Sequence, residues 1–184
     1  CEQKLDTSEI PAFTSIGCPT CSFDILVPCR FGQYLLESPL GENEVTGVYR
    51  ALDLKLDREV CVKVLDRRAT SHETVLAAFQ NVGRRAAAFN HVNIVPIYSS
   101  DTFKDLPYLA MEYMAGGSLA NLLASSDSLP LETCLYYAEQ TARALDAANR
   151  EGLLHYNVAP QNILLGVEGT AKVSDFGMSL VHSA

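Results

Sequence analysis

Five short β-rich runs, interrupted once by a helical pattern, occupy residues 34–113 and place the strongest limit on the fold. Gly, Asn or Asp turns separate the first three runs, and this spacing is typical of antiparallel strands joined in a meander. The runs read YLLESPLGE, TGVYRALDL, EVCVKVL, IVPIY and PYLAMEY. They predict an α+β protein that is built on an antiparallel sheet.

Two helical patterns accompany these strands. Thr70 and Glu73 have the spacing of a capping box and predict where the first helix begins. Its apolar face has spacings of three and four residues and consists of Leu76, Phe79, Val82, Ala86 and Phe89. Pro130 is expected to begin a longer helix that extends to about Arg150. The predicted buried stripe of that helix consists of Ala138, Ala142, Leu145 and Ala148.

The charge balance excludes several kinds of partner. A net charge of −8 argues against nucleic acid and anionic membranes, because both attract clustered Lys and Arg. No apolar run approaches the roughly 20 residues of a membrane span, and no signal-peptide pattern opens the chain. We therefore expect a cytoplasmic location and no membrane segment in this chain. Because it begins with Cys1 rather than Met, we also expect a fragment of a longer protein.

Four of the six cysteines lie within the first thirty residues. In the sequence CPTC, Cys18 and Cys21 have the spacing of a metal knuckle, in which two thiolates face one tetrahedral ion. Cys1 is a third candidate ligand for zinc, and a structural zinc site needs four. The fourth would be Cys29 or a cysteine that precedes Cys1. A ribbon remnant without metal explains the same residues, and both alternatives stay open.

The other two cysteines, Cys61 and Cys134, lie in apolar segments. A free thiol in such a segment behaves as a small hydrophobic side chain, so we expect both residues to pack in this way. This distribution favours a reducing compartment over a disulfide scaffold.

The order of VCVK, MEY, HYNVAPQN and DFG along the chain resembles the eukaryotic-type protein kinase family. The resemblance covers about Phe31 to Ala184, and a CPxC ribbon just before it is similar to bacterial Ser/Thr kinases. It implies a protein-kinase-like fold in three parts. Residues 1–30 would be a partial zinc-ribbon-like segment, 31–115 an N-lobe with an antiparallel sheet and one helix, and 116–184 a partial helical C-lobe that ends just after DFG.

The resemblance also implies an ATP site between the lobes. Lys63 stands where the lysine of the family pairs the α- and β-phosphates of ATP. Backbone groups of Glu112 and Met114 would bind adenine, with Val48 above the base and Leu164 below it. The same residues would also serve as core residues of any kinase fold.

The loop that covers the phosphates departs from the family pattern G-x-G-x-x-G-x-V. Gly41 and Val48 match the pattern, whereas Asn43 and Thr46 replace the later glycines. Glycine lets backbone amides approach the phosphates, so we expect these two side chains to weaken phosphate binding.

The glutamate that pairs with the lysine in the family is also missing. Its position, nine residues before His91, is occupied by Val82. Because Val82 lies on the apolar stripe of the helix, we expect it to be a core residue. We also expect Lys63 to lack its anchoring ion pair.

The loop LLHYNVAPQN is similar to the catalytic loop H-R-D-L-x-x-x-N. His155 and Asn162 match this motif, whereas Tyr156 replaces its arginine and Asn157 replaces the aspartate that acts as base. Ala159 stands in place of a lysine. An amide has the shape of a carboxylate without its basicity, so Asn157 can orient a hydroxyl group but cannot accept its proton.

The DFG motif at residues 175–177 is intact, and Asp175 with Asn162 would bind magnesium. Whether the site binds Mg-ATP weakly or not at all stays open. The departures favour a pseudokinase that acts as a binding or scaffold module for a protein partner. An active Ser/Thr kinase with atypical residues is one alternative, and a zinc-ribbon interaction module with a kinase remnant is another.

Overall fold

The computed structural model describes residues 1, 3–42, 45–126, 128–178 and 181. The strands are β1 Ser15–Gly17, β2 Asp24–Leu26, β3 Cys29–Phe31, β4 Tyr34–Glu42, β5 Thr46–Asp53, β6 Arg58–Leu65, β7 Ile97–Phe103, β8 Leu106–Glu112, β9 Ile163–Leu165 and β10 Ala171–Val173. The α-helices are α1 Glu73–Ala87, α2 Leu119–Ala124 and α3 Leu131–Arg150. Single 3-10 turns are formed by Ala69–Ser71 and by Pro160–Asn162.

A six-stranded antiparallel sheet in the order β3-β4-β5-β6-β8-β7 forms the first lobe. Its strands β4 to β8 correspond to the five β-rich runs, so the α+β prediction is confirmed. The run IVPIY is only partly a strand, because β7 begins at Ile97 and Ile94 instead forms a bridge with Val173 of β10. Strand β3 crosses the expected boundary between residues 30 and 31, which joins the first segment directly to the sheet.

Strand β6 separates two apolar cores, because successive residues of a strand face opposite sides of the sheet. Cys61 faces the inner core, where Phe79 and Val82 of α1 pack against the sheet. Val62 faces the outer core, which contains a group of aromatic side chains. These are Phe31, Tyr34, Phe103 and Tyr108, and their edge-to-face contacts have centroid distances of 4.9 to 5.6 Å. Val82 is therefore a core residue, as expected.

The capping box predicted at the start of α1 is wrong. The helix is preceded by His72, whose side chain caps no backbone N–H among the described residues. The Thr70 hydroxyl group instead donates to the backbone oxygen of Arg67 at 2.7 Å. The reason is the 3-10 turn at Ala69–Ser71, which places Thr70 in a turn of its own before the helix begins.

Helix α3 has the predicted bounds but a different buried face. Ala138 and Ala142 are exposed, and Gln140 and Thr141 are buried in their place, together with Ala144 and Ala148. Gln140 is buried because its Oε1 accepts hydrogen bonds from the Asn93 side chain and from a backbone N–H, both at 2.9 Å. A pattern that counts only apolar residues misses such a face.

The two isolated cysteines differ in their surroundings. Cys61 is buried as expected, whereas Cys134 is exposed on α3, so the prediction for Cys134 is wrong. None of the helices in the described residues is both long and apolar enough to cross a membrane.

We predict that Phe79→Ala lowers the free energy of unfolding by about 3–5 kcal/mol, because it leaves a cavity in the inner core. Phe79 is 1% exposed, whereas Phe23 is 71% exposed and provides the matched control. Phe23→Ala is expected to change stability by less than about 0.5 kcal/mol. Urea denaturation of the two variants measures the difference, and equal losses would contradict this assignment of the core.

Candidate functional site

A cleft of about 470 Å³ lies between the sheet and the second lobe. Its walls come from β4, β5, β6, the segment that follows β8, and the residues around β9 and β10. It brings together every residue predicted to bind nucleotide and one predicted magnesium ligand, namely Gly41, Val48, Lys63, Glu112, Met114, Leu164 and Asp175. Asn162, the other predicted magnesium ligand, does not line this cleft and lies in the neighbouring 3-10 turn.

Lys63 forms an ion pair with Asp175 across the cleft. The lysine is 6% exposed, and a buried ammonium group is costly unless a counter-charge is close to it. Val82 cannot provide that charge, and Asp175 does. The partner on α1 is thus missing, as expected from Val82, and Lys63 is anchored instead by a residue of the second lobe.

The backbone around Asp175 is bent sharply and aims the carboxylate at Lys63. Asp175 has φ 64° and Gly177 has φ 71°, both in the left-handed region that non-glycine residues rarely adopt. A Cβ atom on Gly177 would lie 3.1 Å from Cγ2 of Val82, so glycine also makes room for α1. The turn is held by the backbone N–H of Met178, which donates to the oxygen of Asp175 at 3.1 Å.

His155 fixes the catalytic-type loop against this turn. Its Nδ1 accepts a hydrogen bond from the backbone N–H of Asn157 at 3.2 Å, so the proton resides on Nε2. Nε2 then donates to the backbone oxygen of Ser174 at 2.8 Å. The imidazole also packs on the ring of Phe176 with a centroid distance of 4.7 Å. Burial lowers the pKa of His155, although the hydrogen bond to Ser174 opposes this effect.

Asn157 lies at the surface of this loop, and its backbone is held on both sides. Its carbonyl oxygen accepts a hydrogen bond from Nδ2 of Asn162 at 2.9 Å. This bond uses the amide nitrogen of Asn162, so the Oδ1 atom of its side chain would be the atom that binds a cation. The backbone N–H of Ser174 donates to the carbonyl oxygen of Asn162 at 2.9 Å. Tyr156 is 64% exposed and has φ 63°, and Ala159 is half-buried. The loop is thus well fixed, and an amide stands where the resemblance places a base.

Sequence reasoning missed Cys61, which lines the cleft, and Lys172, which pairs with a lining residue. Cys61 lies two residues before Lys63 on β6, and the alternation of the strand could have placed it on the same face. Burial raises the pKa of Cys61 to about 12, which keeps this thiol protonated. Lys172 of β10 pairs with the Glu112 carboxylate at 2.5 Å and ties the second lobe to the end of β8. No local pattern indicates that pair, because 60 residues separate its members.

Of the two altered positions in the loop that covers the phosphates, the structure describes Thr46. Thr46 is buried and lines a second cleft of about 580 Å³, with Tyr49 and Asp66, rather than the first cleft. It does not line the first cleft, although strand alternation places it on the same face of β5 as Val48. Asn43, the other altered position, lies outside the described residues.

The thiols of Cys1, Cys18 and Cys21 form a cluster in which all sulfur atoms lie within 4.8 Å of one another. The Sγ atom of Cys1 lies 3.5 Å from that of Cys18 and 3.3 Å from that of Cys21. Hydrogen bonds from the backbone of Cys21 and Thr20 lower the pKa of the Cys18 thiol. Cys29 lies in β3 and does not join the cluster. Three thiols that converge in this way fit a zinc ion and provide three of its four usual ligands.

Residues 35–184 match the family of protein tyrosine and serine/threonine kinases. The chain belongs to the protein kinase family. Serine/threonine-protein kinase PknL of Mycobacterium tuberculosis is 34% identical over 146 residues, which are 79% of this chain and 37% of PknL. Serine/threonine-protein kinase PrkC of Bacillus subtilis is 31% identical over 153 residues, which are 83% of this chain and 24% of PrkC.

Solved kinase structures agree with this assignment. The kinase domain of PknI from Mycobacterium tuberculosis is similar with a TM-score of 0.70 and 26% identity, over 81% of this chain and 61% of that domain. The kinase-like fold is therefore confirmed, with an antiparallel N-lobe sheet, the helix α1 and part of a C-lobe. The chain spans well under half the length of PknL and PrkC.

We predict that acid destabilises the protein through His155. Because burial lowers its pKa below the ordinary value of 6.5, the unfolded chain takes up a proton more readily than the folded chain. The free energy of unfolding should therefore decrease as the pH falls through 6.5, and His155→Gln should reduce this pH dependence.

The measurement is urea denaturation at several pH values between about 5 and 8, the range in which histidine usually titrates. His72→Gln is the control, because His72 is exposed just before α1. An identical pH dependence in the wild type and in His155→Gln would show that His155 is not responsible.

Proposed function

We propose that this kinase-family domain binds nucleotide weakly and acts as a binding or scaffold module for a protein partner rather than as an efficient phosphotransferase. The observation that carries the proposal is Asn157. It stands at the position of the catalytic base on a loop whose backbone is well fixed, and its side-chain amide cannot accept a proton. A positioned general base contributes roughly 10² to 10⁴ in rate.

The charge of the cleft supports weak nucleotide binding that depends on magnesium. Lys63 and Asp175 neutralise one another, and the Glu112 carboxylate at the other end is neutralised by Lys172. The cleft therefore offers little net positive charge to a triphosphate, and the Asp175 carboxylate would repel it. The oxygen atoms of Asp175 and Asn162 are ligands that fit magnesium, which would supply charge neutralisation when bound.

The apolar walls of the cleft support binding of a planar base. Val48 and Cys61 lie on the sheet side, and Leu164 lies on the side of the second lobe. The ion pair with Lys172 uses the side chain of Glu112, and its backbone N–H donates to the Pro96 oxygen at 3.1 Å, so its carbonyl oxygen would be the group that meets a base. The same ion pair holds that segment in place, which limits the entropy lost on binding.

An active kinase with atypical residues is the second candidate, and one observation favours it. Lys63 is held in the cleft by Asp175 although the glutamate of α1 is absent. The lysine could therefore still position phosphates. Ala159 argues for the first candidate, because it places no cation beside the transferred phosphoryl group.

For the N-terminal segment we propose a zinc site at Cys1, Cys18 and Cys21. The three thiols already converge in the fold, and thiolate ligands of this number favour zinc over magnesium or calcium. Such a site would make the segment a zinc-ribbon-like module attached to the kinase-like sheet.

We predict that ATP raises the melting temperature of the protein only when magnesium is present. Asp175→Asn should abolish this dependence on magnesium, because it removes both the repulsion of the phosphates and a magnesium ligand. Asp105→Asn is the matched control, since Asp105 is exposed and has the same φ of 64° as Asp175. A thermal-shift series with ATP, with and without magnesium, measures the effect. Equal stabilisation of the wild type in both series would contradict the proposed charge balance.

We further predict that Asn157→Asp alone gives less than about tenfold more phosphoryl transfer, well below the roughly 10² to 10⁴ of a base in an intact site. Residues that act as one catalytic unit are not additive, so the missing cation at Ala159 still limits the rate. Asn157→Asp combined with Ala159→Lys should exceed the single variant. ATP turnover and labelling of a generic protein substrate test this order, and robust activity of the single variant would refute it.

A further inference from the structure

The N-terminal segment contains a hairpin that runs from the cysteine cluster to the sheet. We call residues 13–27 the thiol hairpin. Strands β1 and β2 pair through Ser15 with Leu26 and through Gly17 with Asp24. At the far end, the backbone N–H of Cys18 donates to the oxygen of Phe23 at 2.9 Å. The backbone ladder is therefore continuous from the cluster to the opposite end of the hairpin.

Phe13 and Val27 form that opposite end. The N–H of Phe13 donates to the oxygen of Val27 at 2.7 Å, and the N–H of Val27 donates to the oxygen of Thr14 at 3.0 Å. The ring of Phe13 stacks on Tyr49 of β5 with a centroid distance of 5.3 Å and an interplanar angle of 11°. Phe13 also packs against the outer core of the sheet. The thiol hairpin thus contacts the N-lobe through a defined aromatic pair.

Tyr49 connects this aromatic contact to the strands that border the nucleotide cleft. A Cβ atom on Gly47 would lie 2.7 Å from Oη of Tyr49, so the tyrosine ring lies directly over Gly47. Gly47 pairs with Glu42, and Val48, which lines the cleft, pairs with Gly41. The aromatic pair therefore lies behind the ends of β4 and β5, where the phosphate-covering loop begins.

The thiol hairpin has little stability of its own. Its strands have three residues each, and an isolated two-stranded hairpin is marginal in water. Phe13 has φ 62°, a conformation that persists only where the surrounding structure holds it. A metal ion that joins Cys1 to the turn at Cys18 and Cys21 would supply the missing constraint, because metal binding and folding are coupled in small ribbons.

We propose that the Phe13–Tyr49 pair couples metal binding at the cysteine cluster to the rigidity of the β4–β5 hairpin over the nucleotide cleft. This inference rests on the proposed zinc and nucleotide sites. With zinc bound, the thiol hairpin is ordered, Phe13 is held on Tyr49, and the strand ends beside the phosphates are fixed. Without zinc, the hairpin loosens and those strand ends open more often.

Hydrogen–deuterium exchange of the amides in β4 and β5 tests the coupling without requiring nucleotide. Metal is first removed from the wild-type protein with a chelator. Adding zinc should then slow exchange by about two- to tenfold, which corresponds to the free energy of a typical aromatic pair. Phe13→Ala should abolish the effect of zinc. Phe13→Leu should also abolish it, because leucine keeps an apolar side chain but lacks the aromatic ring. Phe23→Ala, in the same hairpin but exposed, should keep it. Protection of β6 and β8 shows that each variant is folded.

Zinc content and nucleotide binding are measured on the same samples to separate the possible failures. Zinc bound with no change in β4–β5 exchange overturns the coupling and leaves the zinc site in place. Equal responses of the Phe13 and Phe23 variants also overturn it. Absence of bound zinc refutes the proposed metal site and the coupling together. If zinc slows exchange but nucleotide does not bind, the coupling holds and the nucleotide site is refuted.

Discussion

The ion pair between Lys63 and Asp175 is the constraint on which the arrangement of the cleft depends. A buried ammonium group needs a counter-charge, and in this chain α1 presents Val82 rather than a carboxylate. The second lobe must therefore supply the charge, which requires the sharp turn at Asp175 and the hydrogen bonds from His155 and Asn157 that fix the neighbouring loop. Because α1 presents Val82 instead of a carboxylate, the counter-charge for Lys63 comes from the second lobe rather than the first.

Much of the fold could be predicted because its signals are local. Alternation and turn residues located strands β4 to β8, and helical spacing located the buried face of α1. Two of the errors share one cause, since each concerns a polar side chain that finds a hydrogen-bond partner the pattern did not indicate. Gln140 is buried on α3 because Asn93 and a backbone amide satisfy its side chain. Thr70 does not cap α1, because its hydroxyl group donates to the backbone oxygen of Arg67 instead.

In the candidate site, too, local sequence patterns could be predicted and contacts between distant segments could not. Motif spacing located the residues that line the cleft, because each motif fixes a side chain relative to its own strand or loop. It could not show the partner of Lys63, the pair between Glu112 and Lys172, or the contact of Phe13 with Tyr49. Those contacts join segments that are far apart in sequence, so they depend on how whole elements pack.

The charges of the cleft connect these observations to function. In a site that transfers phosphoryl groups, cations must face the phosphates and a base must face the acceptor. Here Lys63 is already neutralised by Asp175, Ala159 adds no cation, and Asn157 has no basic group. The packing that orients the loop is nevertheless retained, with His155 against Phe176 and Asn162 against the backbone of Asn157. A loop that keeps its packing without a base at Asn157 or a cation at Ala159 supports the proposed role of the domain as a binding module for a protein partner.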